Sequence, residues 1–230
     1  MICIAVPSRG RPQFLRQLVS SALSTAHQPS NVVISYYLNE DDPELQNYVD
    51  TLKHLGQAHG NSVQWKIGPD QNTVLSWEQL CDSIDANYYM LAGDEVTFET
   101  PGWDKKFDET KQKYPDGIFC MSMYCGRGES RLNENVTPVV TKQWRQALGY
   151  FWGPMFWHWN VDQWSGDLAK AVDRFEYRSD ITVRIKKIKK DSTGLRNRSA
   201  GIFNRDEWVY KKCKELYFDH DVQKLNQAKQ

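Results

Sequence analysis

The chain has 230 residues, 40% of them hydrophobic and 25% charged, and its 29 basic and 29 acidic side chains cancel to a formal net charge of zero. That balance excludes a disordered chain, and the length is enough for one substantial core. No apolar run approaches the roughly 20 residues that span a bilayer, and the start Met1–Pro7 lacks a basic leader, so neither a membrane span nor a signal peptide is expected.

In chain order, Ile2–Val6 reads as a buried strand stopped by the turn Pro7-Ser8-Arg9-Gly10-Arg11-Pro12. Phe14, Leu15, Leu18, Val19, Ala22 and Leu23 then recur at helical spacing, with Pro12 just ahead. A strand over Asn31–Leu38 ends in Asn39-Glu40-Asp41-Asp42, a helix follows over Glu44–Leu55, and a strand over Ser62–Ile67. A helix over Val74–Ile84 and a strand over Tyr88–Leu91 complete a run of strand-loop-helix units, the pattern of a mostly parallel sheet covered on both faces. Ligands of such sheets bind at the carboxyl tips of the strands, where the Pro7–Pro12, Asn39–Asp42 and Gly93–Glu95 turns all fall.

Beyond Pro101 the pattern is less regular. Helices are expected over Trp103–Lys113, Lys142–Leu148 and Asp162–Val172, and strands over Ile118–Met123, Val136–Val140 and Ile181–Ile185. Gly126–Glu129 reads as a Gly-rich loop, Tyr150–Asn160 as an aromatic loop, Asp191–Asn204 as a mobile polar loop and Glu207–Leu225 as one amphipathic helix. The expected organisation is a catalytic domain over residues 1–204 with a C-terminal helix over 205–230 packed on it. Five cysteines, an odd number with no CxxC spacing, argue against structural disulfides and for a reducing, cytoplasmic setting.

The sharpest local feature is Ala92-Gly93-Asp94-Glu95-Val96, set directly after the apolar Tyr88–Leu91. Carboxylates at a strand tip, beside a glycine that permits close approach, suit a hard divalent cation; short acids also cap turns for purely local reasons. The segment from Arg184 to Arg198 is basic, and lysines there fit either a phosphate-binding or a solvated edge-strand role. Trp152, Trp157 and His158 lie in the aromatic loop, where indoles serve as core or as a platform for a sugar or base.

Taken together, Val6-Pro7-Ser8-Arg9-Gly10-Arg11-Pro12, Leu91-Ala92-Gly93-Asp94-Glu95-Val96, Thr100-Pro101-Gly102-Trp103-Asp104 and Ala147-Leu148-Gly149-Tyr150-Phe151 resemble, in that order, the motifs of GT-A fold, family-2-like glycosyltransferases of the compact bacteriophage and bacterial type. The resemblance implies a single α/β domain with a Rossmann-like sheet and transfer of a hexose or pentose from a nucleoside-diphosphate donor, a UDP-sugar foremost, to a hydroxyl. It implies donor binding by Pro7, Ser8, Arg9, Arg11, Asn39, Asp41, Asp42 and Asp94, with Lys186 and Lys189 on the diphosphate. It also implies Mn²⁺ or Mg²⁺ on Asp94 and Glu95, and Asp162 as catalytic base; the aromatic loop itself makes Trp152, Trp157 and His158 the expected acceptor contacts. Two departures stand out: Ala92 replaces the first acid of the Asp-x-Asp motif, and no histidine lies between His158 and His220, where many members carry a metal ligand. The acceptor is a saccharide or, as in some phage-type relatives, a hydroxymethylated pyrimidine of DNA. A nucleotidyltransferase and a non-catalytic nucleotide- or sugar-binding module are the alternatives; the single glycine of Ser8-Arg9-Gly10-Arg11 argues against the first.

Overall fold

A computed structural model describes residues 1–126, 135–186 and 192–229. Its framework is set by strict alternation in the first strands, β1 (Ile2–Ser8) and β2 (Val32–Asn39). Side chains of a strand point alternately to the two faces of its sheet. Accordingly Ile2, Ile4, Val6, Val32, Ile34, Tyr36 and Leu38 enter one core, and Cys3, Ala5, Val33 and Tyr37 enter the other. Both faces are apolar because both are covered, as in α/β sheets generally.

The first layer is closed by α1 (Leu15–Thr25) and α2 (Leu45–His59), through Leu15, Leu18, Val19 and Ala22 and through Tyr48, Leu52 and Leu55. Trp103 and Phe107, the latter on α4 (Lys105–Lys113), fill the same layer. Asp104 ties it together by accepting the amides of His27 and Gln28 at 2.6 and 2.8 Å. The second layer is closed by α3 (Thr73–Asp82), α5 (Lys142–Leu148) and α6 (Val161–Ala171), and is backed by α8 (Ile202–Leu216) and α9 (Phe218–Ala228).

The remaining strands are β3 (Val63–Gly68), β4 (Tyr88–Leu91), β5 (Val96–Phe98), β6 (Cys120–Tyr124), β7 (Val139–Thr141) and β8 (Phe175–Ile185). The eight described strands are ordered β3-β2-β1-β4-β7-β6-β8-β5. The sheet is mixed, with parallel pairs in the majority as expected. β3, β2, β1 and β4 run parallel and β6 pairs parallel with β8, but β7 is antiparallel to both β4 and β6, and β5 to β8.

Two expectations are corrected. Much of the polar stretch Asp191–Asn204 is helical: α7 covers Ser192–Ser199 and α8 starts at Ile202, while Asp191 lies outside the described residues. The C-terminal helix is in fact two, broken at Tyr217, and docks through buried Cys213 and Leu225. No helix of the described residues is long and apolar enough to cross a membrane.

Candidate functional site

A cleft of about 370 Å³ opens where β1, β2 and β4 end. Pro7 and Ser8 reach it from the end of β1, Arg9 and Arg11 from the loop beyond, Asn39 from the tip of β2, and Gly93 and Glu95 from the turn after β4. The first turn of α3 adds Thr73 and Ser76, and the aromatic loop and α6 add His158, Trp159 and Asp162. The loop after β1 turns back on itself at Gly10, whose φ of 69° is a left-handed conformation that glycine adopts without steric cost.

At the floor of this region lies Asp94. Its carboxyl accepts a short hydrogen bond from the Ser8 hydroxyl and pairs with Arg11 Nη2 at 3.1 Å, and its side chain is 0% exposed. Ser8 Oγ also meets the Tyr48 hydroxyl at 2.7 Å, and that hydroxyl accepts the Arg11 amide at 2.7 Å, so α2 props the loop from below. Burial pushes the Asp94 carboxyl up to about 7, against Arg11 and Ser8, which draw it down; the neighbouring Glu95 carboxyl adds to the rise. The Glu95 carboxyl is folded back over Gly93, so that a Cβ there would have to displace it.

A divalent ion held on Asp94 does not fit this geometry. Such an ion needs carboxylate oxygens turned toward the substrate phosphates. The Asp94 carboxyl is turned instead into Ser8 and Arg11, and a cation there would have to expel Arg11 from its buried partner. Glu95, not Asp94, is the acid of the turn that lines the cleft. Among the described residues no group of three His, Cys, Asp or Glu side chains is arranged to hold a metal.

The other expected donor residues divide. Pro7, Ser8, Arg9, Arg11 and Asn39 all line the cleft. Asp41 is set aside from it, paired with Arg9 at 2.5 and 3.0 Å in an exposed bidentate bridge. Asp42 is buried and structural: it accepts the Gly10 amide at 2.7 Å and the Glu44 amide at 2.9 Å, locking the β1 loop to the β2 turn. Lys186 is exposed; its amide donates to the Glu95 carbonyl at 3.2 Å and its ammonium lies 5.4 Å from the Phe14 ring. Lys189 falls outside the described residues, as does Lys187.

On the other side of the cleft, Asp162 sits in the first turn of α6, with Oδ1 accepting the Gln163 amide at 2.8 Å. His158 Nδ1 meets Thr73 Oγ1 at 2.9 Å, and its ring stands edge-on to Trp159. Trp157 is 42% exposed and lines an adjoining groove of about 390 Å³, with the Arg205 guanidinium 4.1 Å from its ring centre. Trp152 must be removed from the acceptor set: it is fully buried in the second core, with its indole N–H directed at Cys81 Sγ at 3.4 Å.

Sequence reasoning missed the anchor of the aromatic loop. Asp206, fully buried on α8, accepts the consecutive amides of Trp157, His158 and Trp159 at 3.1, 2.8 and 2.9 Å. Nothing local marks an acid as serving a loop 47 or more residues away. Gln71 and Thr73 were missed as well, although Pro69–Thr73 is another strand-tip turn and the rule that found the first three applies to it, while Arg196 of the expected basic segment does line the cleft. Arg196 pairs with Asp70 of that turn at 3.2 Å.

No protein-family model matches the chain, and no curated protein matches it in sequence. Its fold is nonetheless shared with solved structures. One is mannosyltransferase PcManGT from Pyrobaculum calidifontis in complex with GDP-Man and Mn²⁺: TM-score 0.66, 8% identity, 99% of this chain and 73% of that one. Another is S. aureus TarS 1-349 in complex with UDP-GlcNAc: TM-score 0.63, 8% identity, 83% of this chain and 59% of that one. The same TarS fragment in complex with UDP gives TM-score 0.62 at 9% identity over 80% of this chain. The chain thus spans about 60% of the length of those TarS fragments. At such identities the likeness shows the fold: a single GT-A-like α/β domain.

Proposed function

We propose that this GT-A-like chain is a nucleotide-sugar-dependent glycosyltransferase, moving a sugar from a nucleoside-diphosphate donor to a hydroxyl acceptor. One observation carries the reading: the acidic turn after β4 meets the Ser8–Arg11 loop after β1 through Asp94, in a cleft at the carboxyl tips of the strands. Support comes from neighbours of this fold that were solved with UDP-GlcNAc and with GDP-Man.

In this reading Pro7, Ser8 and Asn39 form the nucleotide side of the cleft. The departing diphosphate requires positive charge fixed in advance, because preorganised donors lower the barrier without reorganising during the reaction. Arg9, Arg11 and Arg196 line the same space. Asp162 accepts the proton of the attacking hydroxyl, a contribution of ~10²–10⁴-fold for a positioned base. His158 and Trp159 shield the acceptor side. A neutral saccharide is favoured as acceptor over a DNA phosphate backbone, because the formal net charge is zero whereas dedicated DNA binders are strongly basic.

The test is release of nucleoside diphosphate from a panel of UDP-, GDP- and TDP-sugars, with saccharides and with hydroxymethylated DNA as acceptors. Turnover with one donor is expected, lost by ~10²-fold or more in Asp162→Asn while circular dichroism stays unchanged. Donor binding without turnover under every condition would select a non-catalytic binding module. Pyrophosphate release from nucleoside triphosphates would select a nucleotidyltransferase.

A further inference from the structure

Resting on the transferase reading, we propose that the donor diphosphate is held in this cleft without a divalent ion, its charge met by the Arg11 guanidinium, which Asp94 positions. Arg11 and Asp94 pair at 3.1 Å beside the strand-tip turns that form the cleft. Arg11 lines the cleft, whereas Asp94 lies behind it with its side chain 0% exposed. The Arg11 backbone is fixed as well, since its amide donates to the Tyr48 hydroxyl, which in turn holds Ser8. A guanidinium presents a planar fork of donors that matches phosphate oxygens.

The alternative ligands for an ion are poorly arranged. Glu95 is folded back over Gly93, and among the described residues the other acid lining the cleft, Asp162, belongs to α6 rather than to the strand tips. The residue two before Asp94 is Ala92, which is buried and supplies no oxygen from its side chain. The fixed charge of a buried-side guanidinium therefore takes the part that a bound ion would otherwise play at the leaving group.

The experiment is calorimetric titration of the intact chain with UDP and with GDP, in EDTA and in millimolar Mn²⁺, with thermal melts confirming that each variant is folded. For the nucleotide that binds, affinities in EDTA and Mn²⁺ are expected to agree within about threefold. Arg11→Met should weaken binding by about 10–100-fold in EDTA, and Arg11→Lys by less, since it keeps the charge but not the fork. Asp94→Asn should weaken binding in the wild-type background but add nothing in the Arg11→Met background, because a positioning residue acts only through its partner. A more than about tenfold gain in affinity from Mn²⁺ would overturn the proposal and leave the transferase reading standing. So would a folded Arg11→Met chain that binds as wild type. Binding of neither nucleotide under either condition would overturn both.

Discussion

Asp206→Ala is the most severe single test of how this cleft is assembled. The wild-type carboxylate is fully buried, and its Oδ2 alone accepts the amides of Trp157, His158 and Trp159 at 3.2, 2.8 and 2.9 Å. Oδ1 adds the Arg205 guanidinium at 2.6 Å. Hydrogen bonds to a charged acceptor contribute about 1.5–3 kcal/mol each, and a donor left unmet in the interior costs about 1–3 kcal/mol. Since a loop that loses its anchor relaxes and recruits water, the sum is not realised in full, and a loss of about 4 kcal/mol is expected. At about 2–4 °C per kcal/mol for a chain of this size, the melting temperature should fall by about 8–16 °C. Asp206→Asn keeps one acceptor oxygen for the three amides but sets an NH₂ against Arg205, so it should fall by about half as much. Paired thermal and urea melts measure both. An alanine variant that melts within about 2 °C of wild type, or an asparagine variant as damaged as alanine, would refute the claim that this carboxylate builds the loop.

Four further outcomes follow from the same geometry. Because the Asp94 carboxyl has its folded pKa raised to about 7 from 3.8, the folded state holds a proton that the unfolded chain has released between those values. Stability therefore falls as pH rises through that window, by up to about 1.4 kcal/mol per pH unit, and levels off above it; urea melts from pH 4 to 8 should show this slope in wild type and not in Asp94→Asn. Tyr48→Phe removes the hydroxyl shared by Ser8 and the Arg11 amide and should cost about 1–3 kcal/mol in the same assay. Trp152→Ala empties a fully buried indole site and should cost about 3–5 kcal/mol, whereas the half-exposed Trp157→Ala should cost well under that. Gly93→Ala should be destabilising or displace Glu95, seen as altered nucleotide affinity with retained circular dichroism, because the added methyl meets the Glu95 carboxyl.

Legibility in the sequence followed how local each signal was. α5 spans Lys142–Leu148 as expected because both its ends are chemically marked: Thr141 accepts the Trp144 amide at 3.1 Å, and Gly149 leaves the helix at a φ of 90°. Tyr88–Leu91 is an unbroken apolar run and forms β4 over the same residues. β8 was read only over its alternating end, Ile181–Ile185, yet it runs from Phe175. Its polar start is hidden from any hydrophobic pattern because Arg178 is sheltered by Asp180 and Glu109, at 2.8 and 2.7 Å, rather than by apolar packing. In the candidate site, the strand-tip turns were visible because ligand position in such sheets follows from topology. The facing of individual side chains was not: Asp41, Asp42 and Asp94 sit in turns of the right kind, but ion pairs and backbone amides claim them first. Nor does composition separate Trp152 from Trp157, since an indole is equally suited to a core and to a surface.

The odd-even division of β1 has a consequence for what the gene can tolerate. Even-numbered residues of this strand feed one core and odd-numbered ones the other, and Ser8 at its end holds Asp94. Adding or deleting a single codon between Ile2 and Ser8 would exchange between layers every side chain on one side of the change, or else shift the terminal hydroxyl off its partner. An indel scan should therefore find this strand as unforgiving as a reading frame.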